Sequence, residues 1–190
     1  MRVALFGYQN IAQKHLTGLW PHVEAGAVEL VGVAGRNVER AREMTAKFGS
    51  PPIFPDYREL LAQVRPELVI ITTPNFTHRE MTVDALSAGA HVLCEKPLGI
   101  HSGEVEEMHR TAKSQNLLLI AGMSSRYAGH SQWMKRELGV SPLKFQSGEA
   151  SYLRARHIPG GTGFLSRAQA GGGVLLDLGT HLIDLSLIHI

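Results

Sequence analysis

The sequence predicts an α/β protein with a doubly wound parallel sheet. Short apolar runs, typical of buried strands, alternate with segments of helical composition through the first two-thirds of the 190 residues. Hydrophobic residues make up 44% of the chain and charged residues 19%, which is the balance of an ordinary globular core. Alternating strands and helices favour a parallel sheet with helices on both faces.

Local signals support each element of this series. Continuous apolar character predicts the strands, and glycine, proline and capping patterns predict the helix ends. The predicted strands are Val3–Phe6, Val28–Ala34, Leu68–Ile71, Val92–Cys94 and Leu117–Ile120. The predicted helices are Ile11–Trp20 (stopped by Pro21), Val38–Phe48 (closed by Gly49), a short helix opened by the capping box Asp56–Glu59, a helix from the capping box Thr77–Glu80 to Gly89, and Gly103–Gln115.

The pattern changes after about Gly122, which predicts a first domain over residues 1–122 and a second over residues 123–190. The second domain is expected to be an incomplete α/β (α+β) domain. Its predicted elements are a helix at Ser131–Leu138, a long strand at Leu143–Leu153, a glycine-rich loop at Arg154–Ala170 and a helix at Gly173–Leu187.

Charge and composition argue against several kinds of partner. The net charge is only +2 and is scattered, so nucleic acid is not expected. No apolar stretch approaches the roughly 20 residues that span a bilayer, and the N-terminus shows no signal-peptide pattern. Cys94 is the one cysteine, so no internal disulfide can form, and no histidine or carboxylate run has zinc spacing. We therefore expect a cytoplasmic protein with no membrane, nucleic-acid or metal partner.

A glycine turn lies between the first strand and the first helix. Gly7-Tyr8-Gln9-Asn10-Ile11-Ala12 approximates the G-x-G-x-x-G/A turn, which brings backbone amides and a helix N-terminus to a pyrophosphate. Gln9 replaces the second glycine, so an ordinary strand-to-helix turn is the alternative. With this turn, residues 1–122 are predicted to be a dinucleotide-binding domain.

The end of the second strand predicts which dinucleotide is preferred. NAD-binding sites usually place a carboxylate there for the ribose 2′-hydroxyl, whereas this chain has Gly35 followed by Arg36. An arginine can pair with a 2′-phosphate, which favours NADP over NAD. The alternative is that Arg36 is a solvated surface charge.

Two patterns supply candidate catalytic groups. Lys96 follows a predicted strand, at the sheet edge where ligands bind, and could stabilise a developing alkoxide; alternatively it forms a surface ion pair. Asp177 and His181 lie four residues apart on a predicted helix, where a carboxylate can orient an imidazole for proton transfer; alternatively they form a pair without chemistry. Gly179 costs that helix about 1 kcal/mol relative to alanine, so a close approach is expected there.

The remaining histidines show no partner pattern in the sequence. We expect them to be surface residues: His15, His22, His101, His109 and His130.

These motifs together resemble the Gfo/Idh/MocA oxidoreductases, the glucose–fructose oxidoreductase and inositol dehydrogenase group. The matching segments are Gly7-x-x-Asn10-Ile11-Ala12, Thr72-Thr73-Pro74-Asn75-x-Thr77-His78, Cys94-Glu95-Lys96-Pro97 and Gly171-Gly172-Gly173 through Asp177-x-Gly179-x-His181. The resemblance implies an N-terminal Rossmann domain followed by a C-terminal α/β domain with a large open sheet. Most of that second sheet is missing, so the chain is expected to be C-terminally truncated and the full-length form to be a homo-oligomer.

The resemblance also assigns residues to roles. It implies catalysis by Lys96, Asp177 and His181, and a cis peptide bond between Lys96 and Pro97. These same three residues, with Arg126 and the loop around His157, would face the substrate. The expected cofactor-binding residues are Gly7, Gln9, Asn10, Ile11, Gly35, Arg36, Thr73, Pro74, Asn75, His78 and Glu95.

The predicted function is hydride transfer between a nicotinamide cofactor, NADP in preference to NAD, and a hydroxyl-bearing carbon of a sugar, cyclitol or related polyol. His181 would exchange the hydroxyl proton, Lys96 would hold the oxygen and Asp177 would orient His181. The alternatives are a nucleotide-binding sensor or regulatory protein without turnover, and an inactive fragment of the enzyme.

Overall fold

Six parallel strands form one sheet in the first part of the molecule. They are β1 (Arg2–Phe6), β2 (Glu29–Ala34), β3 (Ile53–Phe54), β4 (Leu68–Ile71), β5 (His91–Cys94) and β6 (Leu119–Ala121). Their order is β3-β2-β1-β4-β5-β6, and every neighbouring pair is parallel. The order reverses at β1, which pairs with both β2 and β4. This is the doubly wound Rossmann topology, so the predicted fold class is confirmed.

The structure is a computed structural model that describes residues 1–140, 147, 149, 151 and 171–187. The chain divides into two compact units, Met1–Ala121 and Gly122–Ile190. Of the predicted strand Leu143–Leu153, only Ser147, Glu149 and Ser151 are described, and the predicted loop with His157 lies outside the described residues.

Helices cover both faces of the sheet in the first unit. They are α1 (Asn10–Glu24), α2 (Val38–Thr45), α3 (Tyr57–Val64), α4 (His78–Ser87) and α5 (Ser102–Ser114). Between the sheet and these helices lie two apolar clusters, one on each face, to which the strands and the helices both contribute side chains. Val3 and Leu5 of β1 belong to one cluster, and Ala4 and Phe6 to the other, because successive strand residues point to opposite faces. A strand buried on both faces needs the continuous apolar run seen in the sequence.

The first helix does not stop at Pro21, so that prediction is wrong. Helix α1 continues through the proline to Glu24. A proline inside a helix costs about 3 kcal/mol because it removes a hydrogen-bond donor and clashes with the preceding turn. The neighbouring Trp20 makes one contact outside the helix and one within it. The Trp20 ring packs edge-on against Phe48 at 5.7 Å between centroids, and its Nε1 donates to Glu24 Oε1 at 2.9 Å.

The two predicted capping boxes behave differently. The Asp56 side chain accepts a hydrogen bond from the Arg58 amide at 2.8 Å and caps α3, as predicted. Thr77 does not cap α4 with its side chain, so that prediction is wrong. A 3-10 turn over Asn75–Thr77 precedes α4 and leaves Thr77 without the extended backbone that a capping residue needs.

The second unit contains helical elements in its described residues. These are a 3-10 turn at Ser124–Tyr127, α6 (Gly129–Val140), a π-helical turn at Leu175–Gly179 and α7 (Thr180–Ser186). The last two confirm the position of the predicted helix Gly173–Leu187. Gly179 is buried, and a Cβ there would lie 2.6 Å from Cδ1 at the end of the flexible Leu175 side chain in the same turn.

No helix in the described ranges combines the length and the apolar character needed to cross a membrane.

Candidate functional site

The Gly7 turn (residues 7–9) lies at the point where the strand order reverses. Gly7 has φ +107°, and a Cβ there would lie 2.5 Å from Thr72 Oγ1 and 3.1 Å from the Thr72 carbonyl carbon. Its amide donates to Ala34 O at 2.9 Å, and the Thr72 hydroxyl donates to Phe6 O at 2.8 Å. The ends of β1, β2 and β4 therefore meet at a residue with no room for a side chain, so this tight turn requires glycine.

The backbone conformation of Gln9 does not require glycine. Its backbone is extended, with φ −95° and ψ −175°, and it forms the N-cap of α1 without a side-chain cap. Asn10 and Ile11 follow in the first helical turn, whose amides have no intrahelical acceptor. That turn carries no acidic side chain, and Ala12 at the third position of the motif is fully buried. The helix N-terminus is thus suited to a pyrophosphate, and the residues present fit a bound dinucleotide.

The end of β2 presents Gly35, Arg36 and an aromatic ring. Gly35 is buried, and a Cβ there would lie 2.8 Å from Tyr8 Cε1 and still closer to Tyr8 Cδ1, so the Tyr8 ring covers this glycine. Arg36 is exposed beside it. A groove next to this point is lined by Tyr8, Gln9, Asn10, Gln13, Arg40, Glu43 and Met44. No sequence pattern singles out Tyr8 or Arg40, although Tyr8 stands inside the glycine motif.

His78 connects the segments that follow β4 and β5. Its ring is 1% exposed, with Nδ1 2.8 Å from Pro97 O and Nε2 2.8 Å from Thr73 O. Burial lowers the pKa of His78 below its usual value, so the neutral ring is favoured and can donate to one of the two carbonyls. His78 therefore lies beneath these two segments and ties them together.

The segment after β4 reaches the surface at Pro74. Thr73 and Asn75 are partly buried, and the Thr73 hydroxyl lies 2.7 Å from Thr77 Oγ1. Asn75 opens the 3-10 turn. The three residues Thr73–Asn75 thus lie together at the carboxyl edge of the sheet, next to the Gly7 turn.

The segment after β5 carries Lys96. The Glu95 amide donates to Ile71 O at 2.9 Å, and the Lys96–Pro97 peptide bond is cis, as the resemblance predicts. Glu95 Oε1 lies 2.7 Å from His15 Nε2. The expectation that His15 is a surface residue without a partner is therefore wrong. The two residues are 80 positions apart, and no local spacing reveals such a contact.

In the second unit, His181 and Arg126, which were predicted to act in catalysis and substrate binding, each contact another side chain. Ser125 Oγ lies 3.2 Å from His181 Nδ1, and Asp177 stands in the π-helical turn before His181. Arg126 Nε donates to both carboxylate oxygens of Asp184, at 2.8 and 2.9 Å. The guanidinium that was expected to face the substrate is thus engaged by a carboxylate of α7.

Within the described part of the chain, no group of three histidine, cysteine, aspartate or glutamate side chains could hold a metal ion.

Comparisons with known proteins agree with this geometry. A family model described as an oxidoreductase family with an NAD-binding Rossmann fold matches residues 1–123. The D-glucoside 3-dehydrogenase of Escherichia coli (strain K12) is 30% identical over 188 residues, covering 98% of this chain and 53% of that protein. The trans-1,2-dihydrobenzene-1,2-diol dehydrogenase of Mus musculus is 35% identical over 164 residues, covering 84% of this chain and 48% of that protein.

Solved structures show the same likeness along the whole chain. GenD2 from gentamicin A biosynthesis, in complex with NAD, superposes with a TM-score of 0.83 at 25% identity, covering 100% of this chain and 53% of that one. An NAD-binding protein from Listeria innocua gives 0.81 at 29% identity, covering 100% and 54%. The chain spans about half the length of the curated relatives it matches. Because the family model accounts for the Rossmann unit and its glycine turn, the chain belongs to the Gfo/Idh/MocA family of oxidoreductases.

Proposed function

We propose that this protein takes part in NAD(P)-dependent hydride transfer to or from a hydroxyl-bearing carbon of a sugar, cyclitol or related polyol. The observation that carries the proposal is a juxtaposition within the first unit. The Gly7 turn and Lys96 follow β1 and β5, which lie on either side of β4 in one parallel sheet. Neighbouring strands are about 4.8 Å apart, so the dinucleotide cradle and the lysine share one edge about 10 Å across.

The bound cofactor supplies the hydride chemistry. The Gly7 turn and the first amides of α1 would bind its pyrophosphate. Lys96 would place a positive charge beside the substrate oxygen as negative charge develops there. In the second unit, His181 would exchange the hydroxyl proton, with its ring oriented by Ser125 at Nδ1 and by Asp177.

The proposed substrate class draws on the relatives. Those described above are named as dehydrogenases of a D-glucoside and of a dihydrobenzenediol. Both names describe compounds with hydroxyl groups on a ring, which supports a cyclic polyol as the substrate of this protein.

NADP is the proposed preference, with NAD as the second cofactor. Arg36 is exposed at the end of β2 beside the Tyr8-covered Gly35, and the neighbouring groove adds Arg40. A 2′-phosphate could pair with these guanidinium groups, and the strand end supplies no carboxylate; the carboxylate among the groove residues is that of Glu43 on α2.

Fluorescence titration of the chain with NADPH and NADH tests both the dinucleotide site and the preference for NADP. We expect saturable binding of both cofactors, tighter for NADPH, and a narrower difference in Arg36→Ala. Arg110→Ala, at an exposed position on α5, is the matched control and should leave both affinities unchanged. Absence of binding would reject the dinucleotide site. Equal affinities that do not change in Arg36→Ala would reject the NADP preference alone.

A further inference from the structure

The contact between His15 and Glu95 joins two parts of the proposed cofactor site. His15 lies in the second turn of α1, the helix whose N-terminus follows the Gly7 turn. Glu95 is the first residue after β5 and immediately precedes Lys96. His15 Nε2 and Glu95 Oε1 are 2.7 Å apart, and their side chains are 21% and 13% exposed. A contact this short and this shielded from solvent is not a loose surface pair.

Glu95 is held at three points. Its amide donates to Ile71 O at 2.9 Å, which continues the pairing of β5 with β4. One carboxylate oxygen meets His15, and the other accepts from the Lys96 amide at 3.2 Å. The Glu95 carboxylate therefore bonds directly to the backbone of Lys96. Among these three bonds, the one to His15 is the bond that reaches a helix.

We propose that His15 is a positioning residue that, through Glu95, fixes Lys96 relative to the dinucleotide bound at the N-terminus of α1. This inference rests on the proposed function, because it presupposes that the Gly7 turn binds a dinucleotide. The pyrophosphate end is set by backbone geometry around Gly7. The position of the nicotinamide end depends on the segment that follows β5. The bond from His15 on α1 holds that segment at a fixed distance from the helix.

The inference predicts that loss of His15 lowers the affinity for NADPH much more than the affinity for a ligand without the nicotinamide. We call this unequal loss the split. NADPH and 2′-phospho-ADP-ribose share the adenosine and pyrophosphate groups and differ by the nicotinamide. We expect His15→Ala to weaken NADPH binding at least about tenfold, the scale of one lost hydrogen bond to a charged group. Binding of 2′-phospho-ADP-ribose should change less than about twofold, because α1 and the Gly7 turn keep their backbone contacts.

Calorimetric titration of the chain with both ligands is the test. Glu95→Ala should reproduce the split, and the double variant His15→Ala/Glu95→Ala should be no weaker than the worse single variant, since each removes the contact between His15 and Glu95. His15→Gln, which keeps a donor near the Nε2 position, should recover part of the NADPH affinity. His22→Ala, at an exposed site on the same helix, is the matched control and should behave as wild type.

Three outcomes have distinct meanings. The split, with rescue by glutamine, supports the positioning role. Unchanged NADPH affinity in His15→Ala, or equal losses for both ligands, overturns it while leaving the dinucleotide site intact. Failure of the wild-type chain to bind either ligand overturns the proposed function and this inference with it.

Discussion

The proposed cofactor site has two regions that hold their shape in different ways. The Gly7 turn is held by main-chain contacts, with a glycine at positive φ packed against Thr72. The strand-end segments, Thr73–Asn75 after β4 and Glu95–Pro97 after β5, are held by the side chains of His78 and His15. The first region is therefore sensitive to added side-chain volume, and the second to the loss of a histidine ring or to protonation of His78.

Removing the ring of His78 should have the largest effect. His78→Ala leaves a cavity and removes the hydrogen bond from the ring to a strand-end carbonyl, so we expect the free energy of unfolding to fall by about 4 kcal/mol. Urea denaturation followed by circular dichroism measures this. His109→Ala, at an exposed position on α5, is the control and should stay within about 0.5 kcal/mol of wild type. A loss below about 1 kcal/mol would show that the ring does not hold the segments.

Adding one carbon to the Gly7 turn should come next. In Gly7→Ala the Cβ would sit 2.5 Å from Thr72 Oγ1 at a backbone conformation that alanine rarely adopts, so we expect a loss of about 3 kcal/mol. Gly18→Ala is the matched control. That glycine lies in α1 with nothing within 4 Å of its Cβ position, so alanine there should stabilise the protein by up to about 1 kcal/mol. Equal effects at the two glycines would contradict the steric account.

Acid should weaken the hold of His78 on the strand-end segments by a smaller amount and leave the Gly7 turn unaffected. Burial lowers the pKa of His78 below the unfolded value of about 6.5. Above that pH the ring is neutral in both states, and its contribution to stability is complete. As the pH falls below about 6.5, the unfolded chain takes up the proton first, so the free energy of unfolding decreases until the pH passes the folded pKa.

Urea denaturation at pH 7.5 and pH 5 compares the two regions directly. Gly7→Ala should show the full decrease of the wild type, because it retains His78, whereas His78→Asn should show a smaller one. An identical decrease in all three proteins would mean that other groups cause it.

The smallest effect concerns Cys94, which ends β5 immediately before Glu95. Burial raises the pKa of the Cys94 thiol to about 12, so the reactive thiolate is scarce at pH 8. A thiol reagent should label it only after unfolding in the wild type, and somewhat faster in His15→Ala, where the segment after β5 has lost a contact. Mass spectrometry of native samples over time measures the labelling rate of Cys94 in the wild type and in His15→Ala. Rapid labelling of the native wild type would show that this segment opens freely.

The fold was predictable where the signal is local. Val3–Phe6 and Leu68–Ile71 are continuous apolar runs, and burial on both sheet faces demands that pattern. The cap at Asp56 was likewise readable from four residues. The end of α1 predicted at Pro21 was wrong, because the helix continues to Glu24. Its Trp20 packs on Phe48, 28 positions away, and no local pattern shows that contact. The two-residue strand β3 is too short to leave a pattern.

The candidate site divides in the same way. The Gly7 turn and Lys96 stand in contiguous motifs, so their positions at the sheet edge could be predicted. The contacts of His15 with Glu95 and of His78 with Pro97 join separate elements, and they exist only once the sheet brings β4 and β5 side by side. Arg126 illustrates the limit, since its partner Asp184 lies 58 positions further along the chain.

The extended backbone of Gln9 bears on how dinucleotide fingerprints are written. A search pattern that insists on glycine at the second motif position would pass over this chain, although φ at that position is −95° and suits any residue. The first position has φ +107°, a conformation that residues other than glycine rarely adopt. A fingerprint weighted by backbone conformation would therefore keep the first glycine strict, relax the second, and retrieve divergent members that a letter-by-letter match discards.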